Sequence, residues 1–365
     1  MLLSTHFDLA VIGAGPAGAS AAIAAACLGM RVALFEAREF PRHKVCGEFV
    51  SAEALEVLRF LLQDSSPSVQ LLRQAPLIQR TRLFLGERMI EAALRPAALS
   101  ITRYDLDAQL WSAAQACGVA TFGACEVSAI NGNGPFALTT PSANYSARTV
   151  VVAAGRWSQF TPDRTIPPGP RWIGLKCHFC EPKPSQSTDL YFFEGGYCGV
   201  QPVGKDVVNA CAMVRSDRAT TLPQVVRLHP RLDQRAAAWT ALIQPLTTAP
   251  LIYRTPGPVR GNFAFAGDAA AFIDPFVGDG ISIALRSGRL AAECLARFLT
   301  GELTLAATLA LYQSEYSRQF VPLLAAASRV RSLLSLPGVA RSAAFELLRL
   351  PGIMPFLIRK TRRAA

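Results

Sequence analysis

Two short stretches of the chain carry residue types whose spacing can do chemistry. The first is Gly13-Ala14-Gly15-Pro16-Ala17-Gly18, with Glu36 further on. Gly13 permits a tight turn, Gly15 lets the backbone approach a pyrophosphate with Ala17 beside it, and Gly18 lets a helix pack closely on a strand. A helix starting there offers unpaired N–H groups and about half a positive charge to phosphates. Glu36 can accept both hydroxyls of an adenosine ribose, which suits FAD or NAD rather than a 2′-phosphorylated cofactor. The second stretch runs from Ala266-Gly267-Asp268 through Pro275, Gly278, Gly280 and Ile281. Asp268 can hold a polyol hydroxyl, and a helix starting near Gly280 can stabilise negative charge on a reduced ring.

Each stretch needs a strand before it and a helix after it, and the pattern supplies both. Residues 7–12 read as a strand, 16–28 as an Ala-rich helix and 31–35 as a parallel second strand that ends at Glu36. Residues 105–117 read as another helix, with strands at 119–122 and 125–130. Asn131-Gly132-Asn133-Gly134 marks a hairpin. The apolar runs 149–153 and 262–266 suit strands covered on both faces, and 280–298 reads as a helix. Between 172 and 254 short alternating runs are joined by Gly/Pro turns, the texture of an antiparallel insertion into a doubly wound α/β domain. Near the end, Leu-Pro-Gly at 336–338 and again at 350–352 predicts two short helices.

The paired motifs resemble those of the FAD-dependent oxidoreductases of the geranylgeranyl reductase and p-hydroxybenzoate hydroxylase-like group. Between them, the Lys44-Val45-Cys46-Gly47-Glu48 run resembles the geranylgeranyl reductase branch, and Phe40-Pro41-Arg42 resembles flavin halogenases. The resemblance places Cys46 and Gly47 beside the flavin ring, with Cys46 as the catalytic candidate. It assigns Arg42, Arg103 and Val127 to FAD contacts. It implies a Rossmann-like FAD-binding domain (1–75, 101–165 and 255–300), an antiparallel β-sheet substrate or cap domain (76–100 and 166–254) and a C-terminal helical extension (301–365). The implied activity is two-electron redox chemistry on a hydrophobic small molecule, aromatic or polyketide-like, with NAD(P)H as a candidate donor. Hydroxylation by reduced flavin is the first expectation. Saturation of C=C bonds in an isoprenoid or lipid is the alternative, and an electron-transfer flavoprotein the third. Three places depart from the family pattern. Ala154 stands where Asp is usual, Gly199 and Gln201 replace the Trp and Phe of the prenyl-reductase cap motif, and Trp172-Ile173 is too little for the halogenase tryptophan motif.

Composition bounds these readings. The chain has 365 residues, which at ~150 per domain suggests two domains or one with an insertion. With 51% hydrophobic and 17% charged residues, disorder is excluded. Nine cysteines, an odd and scattered set, point to free thiols in a reducing, cytoplasmic compartment. Cys177-His178-Phe179-Cys180 looks like a metal pair, but residues three apart on a strand face opposite sides, and no metal site is expected. His43 and His178 read as ordinary surface or strand histidines. The charge-free run 9–30 is long enough to span a bilayer, yet its glycines and alanines suit a buried strand–turn–helix better. No Lys or Arg precedes it, so no secretory signal is expected. The net charge of +11 is concentrated in the tail. From Arg329 onward eight basic residues face one acid. The body is near neutral, which argues against nucleic acid, while the tail suits peripheral contact with an anionic membrane.

Overall fold

The computed structural model describes residues 6–63, 66–160, 168–248, 250–253, 255–272, 278–334, 338–350 and 352–354. In chain order the elements are β1 (His6–Ile12), α1 (Pro16–Cys27), β2 (Val32–Phe35), β3 (Phe49–Val50), α2 (Ala52–Leu62), α3 (Ser66–Gln74), β4 (Leu77–Leu85), β5 (Arg88–Ser100), α4 (Arg103–Ala116), β6 (Ala120–Phe122), β7 (Ala129–Asn131), β8 (Phe136–Thr139) and β9 (Asn144–Val152). There follow β10 (Trp172–Cys180), β11 (Ser187–Phe193), β12 (Gly196–Gly204), β13 (Val207–Arg215), α5 (Leu222–Arg227), α6 (Pro230–Ala236), β14 (Thr240–Ala241), β15 (Leu246–Thr248), β16 (Val259–Arg260), β17 (Phe263–Phe265), α7 (Gly280–Leu299), α8 (Leu305–Leu334) and α9 (Gly338–Leu348).

The first sheet is built on parallel pairs in the order β17-β9-β1-β2-β6, with β16 and the β7–β8 hairpin attached antiparallel. Leu9 to Ile12 and Val150 to Val152 are all buried, as strands covered on both faces must be. The covering helices are α1, α4, α7 and α8, whose apolar side chains share one core with this sheet. Small residues let α1 and α7 approach closely, since a Cβ on Gly288 would lie 2.0 Å from the Ala17 carbonyl oxygen.

The second sheet runs β14-β10-β13-β12-β11-β4-β5-β3. It enters the chain at two places, as β4–β5 and as β10 to β15. Its strands alternate with period two. Leu175, Cys177, Val208, Ala210 and Ala212 face Leu222, Val225 and Leu232 of α5 and α6. The intervening Lys176, His178, Asn209 and Cys211 take the opposite face, toward the first sheet's domain.

Four expectations need correction. The β4–β11 pair is parallel, so the cap sheet is mixed rather than antiparallel. β3, expected in the FAD-binding half, pairs with β5 at the edge of this sheet. Within 125–130 only residues 129 and 130 are strand, because β7 spans Ala129–Asn131. The first Leu-Pro-Gly ends not a short helix but the 30-residue α8, which carries Pro322 inside it. Among the described residues, no helix is long and apolar enough to cross a membrane.

Candidate functional site

The β1–α1 turn shows why glycine stands where it does. Gly13 has φ +96°, and a Cβ there would lie 2.6 Å from the Ala154 Cα. A Cβ on Gly18 would lie 1.7 Å from the Gly13 carbonyl oxygen, so Gly18 serves packing and does not line the site. Over Gly15 stand two cations instead. A Cβ there would meet Arg103 Nη2 at 3.6 Å and Lys44 Nζ at 3.8 Å. Both are tied to one fully buried carboxylate. Arg103 donates to Asp107 at 2.7 and 2.8 Å, and Lys44 Nζ lies 3.0 Å from it. Burial lowers the Lys44 pKa and the neighbouring Arg103 lowers it further, against the pull of Asp107. Burial would raise Asp107, but Arg103 and Lys44 hold it below the usual carboxylate range. Two cations and a helix N-terminus thus converge with one carboxylate between them. The cradle is short of negative charge, and a pyrophosphate supplies it.

Glu36, buried at the end of β2, already accepts three hydrogen bonds. Its Oε2 takes the Ala14 N–H at 3.0 Å, and its Oε1 takes Arg42 Nη2 at 2.9 Å and the Arg38 N–H at 3.2 Å. A carboxylate has about four acceptor sites, so the remainder is left for a ribose. Gly267, at φ +60°, brings the second motif against α1, where its Cβ would lie 2.8 Å from that of Ala17. Asp268 lies 3.7 Å from Arg156 Nε, and α7 begins behind it at Gly280.

These groups line one cavity of about 1370 Å³, beyond the ~300–1,000 Å³ of a drug-sized ligand site and roomy enough for a dinucleotide with a substrate beside it. Gly13, Gly15, Ala17, Glu36, Arg42, Cys46, Gly47, Arg103, Val127, Gly267, Asp268, Gly278, Gly280 and Ile281 all border it. Pro275 lies outside the described residues. Of the cap aromatics only Tyr197 lines the cavity, whereas Trp172, Phe192 and Phe193 do not.

The Cys46–Gly47 loop is held by the cap. Asn209 Nδ2 on β13 donates to the carbonyl oxygens of Cys46 and Gly47 at 3.0 Å each. Glu48 follows at φ 62°, fully buried. Its carboxylate accepts from Lys176 Nζ, from the Arg103 N–H at 2.7 Å and bonds His178 Nε2 at 2.8 Å. Lys176 also donates to the Lys44 carbonyl at 3.1 Å. Burial would raise the Glu48 pKa, but His178 and Lys176 bring it below the ordinary value. His178 is therefore no ordinary strand histidine, and Lys176 and Asn209 belong to no motif. The signal was Lys176 and His178 at period two in a strand of otherwise apolar residues. His43 borders the cavity near His178, with ring centroids 5.1 Å apart, and burial lowers its pKa.

Beyond this loop the cavity extends along the cap sheet past Leu83, Leu190, Met213 and Leu251, where Leu348 and Met354 also line it. Arg88 fixes the segment that leads to them, bonding Glu346 at 3.0 Å and Ser342 at 2.9 Å and lying 5.6 Å from the Phe345 ring centroid.

Residues 7–162 match the pyridine nucleotide-disulphide oxidoreductase family. A menaquinone reductase of Mycolicibacterium smegmatis is 25% identical, over 98% of this chain and 91% of that protein. The digeranylgeranylglycerophospholipid reductase 2 of Methanopyrus kandleri is 25% identical, over 86% of this chain and 83% of its own. Among solved structures, the flavin-dependent brominase Bmp2 superposes with a TM-score of 0.81 at 18% identity, over 98% of this chain and 93% of its own. With this fold, a cradle that fits FAD and these relatives, the chain is an FAD-dependent oxidoreductase that resembles the geranylgeranyl reductase and p-hydroxybenzoate hydroxylase-like group.

Proposed function

We propose that this oxidoreductase saturates a carbon–carbon double bond of an apolar, isoprenoid-like molecule, with NAD(P)H as electron donor. One observation carries the reading. A single cavity runs from the phosphate cradle into an apolar chamber, and the cap holds Cys46 and Gly47 on its wall. Relatives named as reductases of menaquinone and of digeranylgeranylglycerophospholipid support it.

Bound FAD supplies the two-electron chemistry, while the protein supplies position and field. Lys44, Arg103 and the α1 N-terminus hold the pyrophosphate, and Glu36 the ribose. Asn209 fixes the Cys46–Gly47 backbone. The Cys46 thiol borders the cavity with the Glu48 N–H 3.3 Å from its sulfur, a donor that can hold the charge left when the thiol gives a proton to substrate carbon. Leu348 and Met354 add apolar surface to the chamber wall. The basic C-terminal segment seats the protein on an anionic membrane, where such substrates reside.

The test is product mass. FAD-loaded protein is supplied with NADH or NADPH and incubated with a polyprenyl quinone or a geranylgeranyl lipid, with and without oxygen. A product heavier by two hydrogens, formed without oxygen and still heavier after any quinol is reoxidised, is expected. A product heavier by one oxygen, formed only in air, would overturn the proposal in favour of hydroxylation. Electron transfer to a dye with every substrate unchanged would overturn it in favour of an electron carrier.

A further inference from the structure

Outside the cavity, two thiols meet at the opposite ends of the helices that build the phosphate cradle. Cys27 is the last residue of α1 and is exposed, and Cys117 caps the C-terminus of α4 and is half-buried. Gln63, at the C-terminal end of α2, donates its single Nε2 to both sulfurs, at 3.4 Å to Cys27 and 3.2 Å to Cys117. One nitrogen thus holds both sulfurs in the same small space at the two helix ends. Both helices begin at the cradle, α1 just after Gly15 and α4 at Arg103. A covalent link at their far ends would therefore tie together the two supports of the cofactor's phosphates.

We propose that Cys27 and Cys117 form a peroxide-oxidisable dithiol whose disulfide staples α1 to α4. Cys27 is the attacking sulfur because it is open to solvent, and Cys117 is the resolving one. The Cys27 thiolate attacks one oxygen of hydrogen peroxide. An S–O bond forms, the O–O bond breaks, and the departing hydroxide takes a proton and leaves as water. The Cys117 sulfur then attacks the Cys27 sulfenic acid. The S–S bond forms, the S–O bond breaks, and a second water carries away the oxygen and the Cys117 proton. Two thiols lose two electrons, and one peroxide gains them. The proposal needs neither the double-bond chemistry proposed above nor any substrate.

The test maps thiols in the full-length protein. Protein freed of reductant is treated with one equivalent of hydrogen peroxide, denatured in iodoacetamide and digested with trypsin without reduction. Cleavage after Arg31 isolates Cys27, whereas Cys117 shares its peptide with Cys125, so fragmentation must place the link. The expected result is a Cys27–Cys117 linked pair with two of the nine thiols closed to alkylation and restored by dithiothreitol. In Cys117→Ser protein, Cys27 instead accumulates as a sulfenic acid trapped by dimedone. In wild type the oxidised form also releases FAD on dilution more slowly than the reduced form, a difference that Cys27→Ser removes. Both thiols still alkylatable after peroxide, a link to Cys125, or Cys27 driven to sulfinic acid while Cys117 stays free would each overturn the proposal.

Discussion

The carboxylate of Glu48 is shared by three groups on two elements: Lys176 and His178 of β10, and the first N–H of α4. A buried charge pair of this kind adds little net stability, but removing one partner strands the other. Lys176→Met is therefore expected to cost about 3–5 kcal/mol in urea unfolding, and the double variant with Glu48→Gln to cost less than Lys176→Met alone. The pH dependence has a definite sign. Because folding lowers the Glu48 pKa below 4.5, its contribution is complete above that value and is lost as pH falls through the lower folded one. Asp107, whose pKa is likewise lowered, adds to the same acid limb. Stability measured from pH 7 to pH 3 should therefore fall less steeply on the acid side in Glu48→Gln than in wild type. Cys46 makes a different kind of prediction. If its thiol gives the proton, Cys46→Ala lowers turnover by about 100-fold or more while the bound-FAD spectrum and the unfolding midpoint stay in place. Loss of the cofactor instead would make Cys46 a packing residue.

At the scale of elements, the decisive contact is between α1 and α7, which join the two motifs. A Cβ at Gly288 would lie 2.0 Å from the Ala17 carbonyl oxygen, and backbone cannot swing aside as a side chain can. Gly288→Ala should cost about 1–3 kcal/mol and weaken FAD retention, read by thermal melting with and without added FAD. The β1–α1 turn and the β7–β8 hairpin were legible in the sequence because their signals are local, glycines at fixed offsets between apolar runs. α8 was misread from an equally local signal. Tyr312, Tyr316 and Phe320 recur at helical spacing and are fully buried, and Tyr312 donates to the Phe265 carbonyl on β17 at 2.8 Å. That packing carries the helix past Pro322. The parallel β4–β11 join had no signal at all, since the register between strands so far apart in the chain is decided by the assembled sheet. The Glu48 cluster was hidden for a related reason. A lysine in a strand reads as solvent-facing until the fold supplies a domain for it to face.

At the scale of the whole molecule, exposed leucines and an exposed arginine stand beside two residues that line the cavity. The chain is at +11, and the run from Arg329 onward contributes eight basic residues against one acid. On α9 and the turn after it, Leu347 and Leu350 are 59% and 51% exposed and flank the exposed Arg349, while Leu348 and Met354 turn inward to the cavity. An edge that shows leucine and arginine outward and lines an apolar chamber inward suits insertion at a lipid surface, where the segment can shift and admit an apolar substrate. Each basic residue near an anionic surface adds about 1 kcal/mol, and that attraction is screened by salt. The protein should therefore co-sediment with phosphatidylserine-containing vesicles, bind purely phosphatidylcholine vesicles far less, and lose binding as salt rises. Leu347→Ser with Leu350→Ser tests the apolar part without touching the core, because both side chains are exposed. That variant should bind vesicles at least tenfold more weakly, yet turn over a detergent-dispersed substrate at the wild-type rate. Equal loss of both would show that the leucines hold the chamber shut, and unchanged vesicle binding would leave the attraction to the basic residues alone.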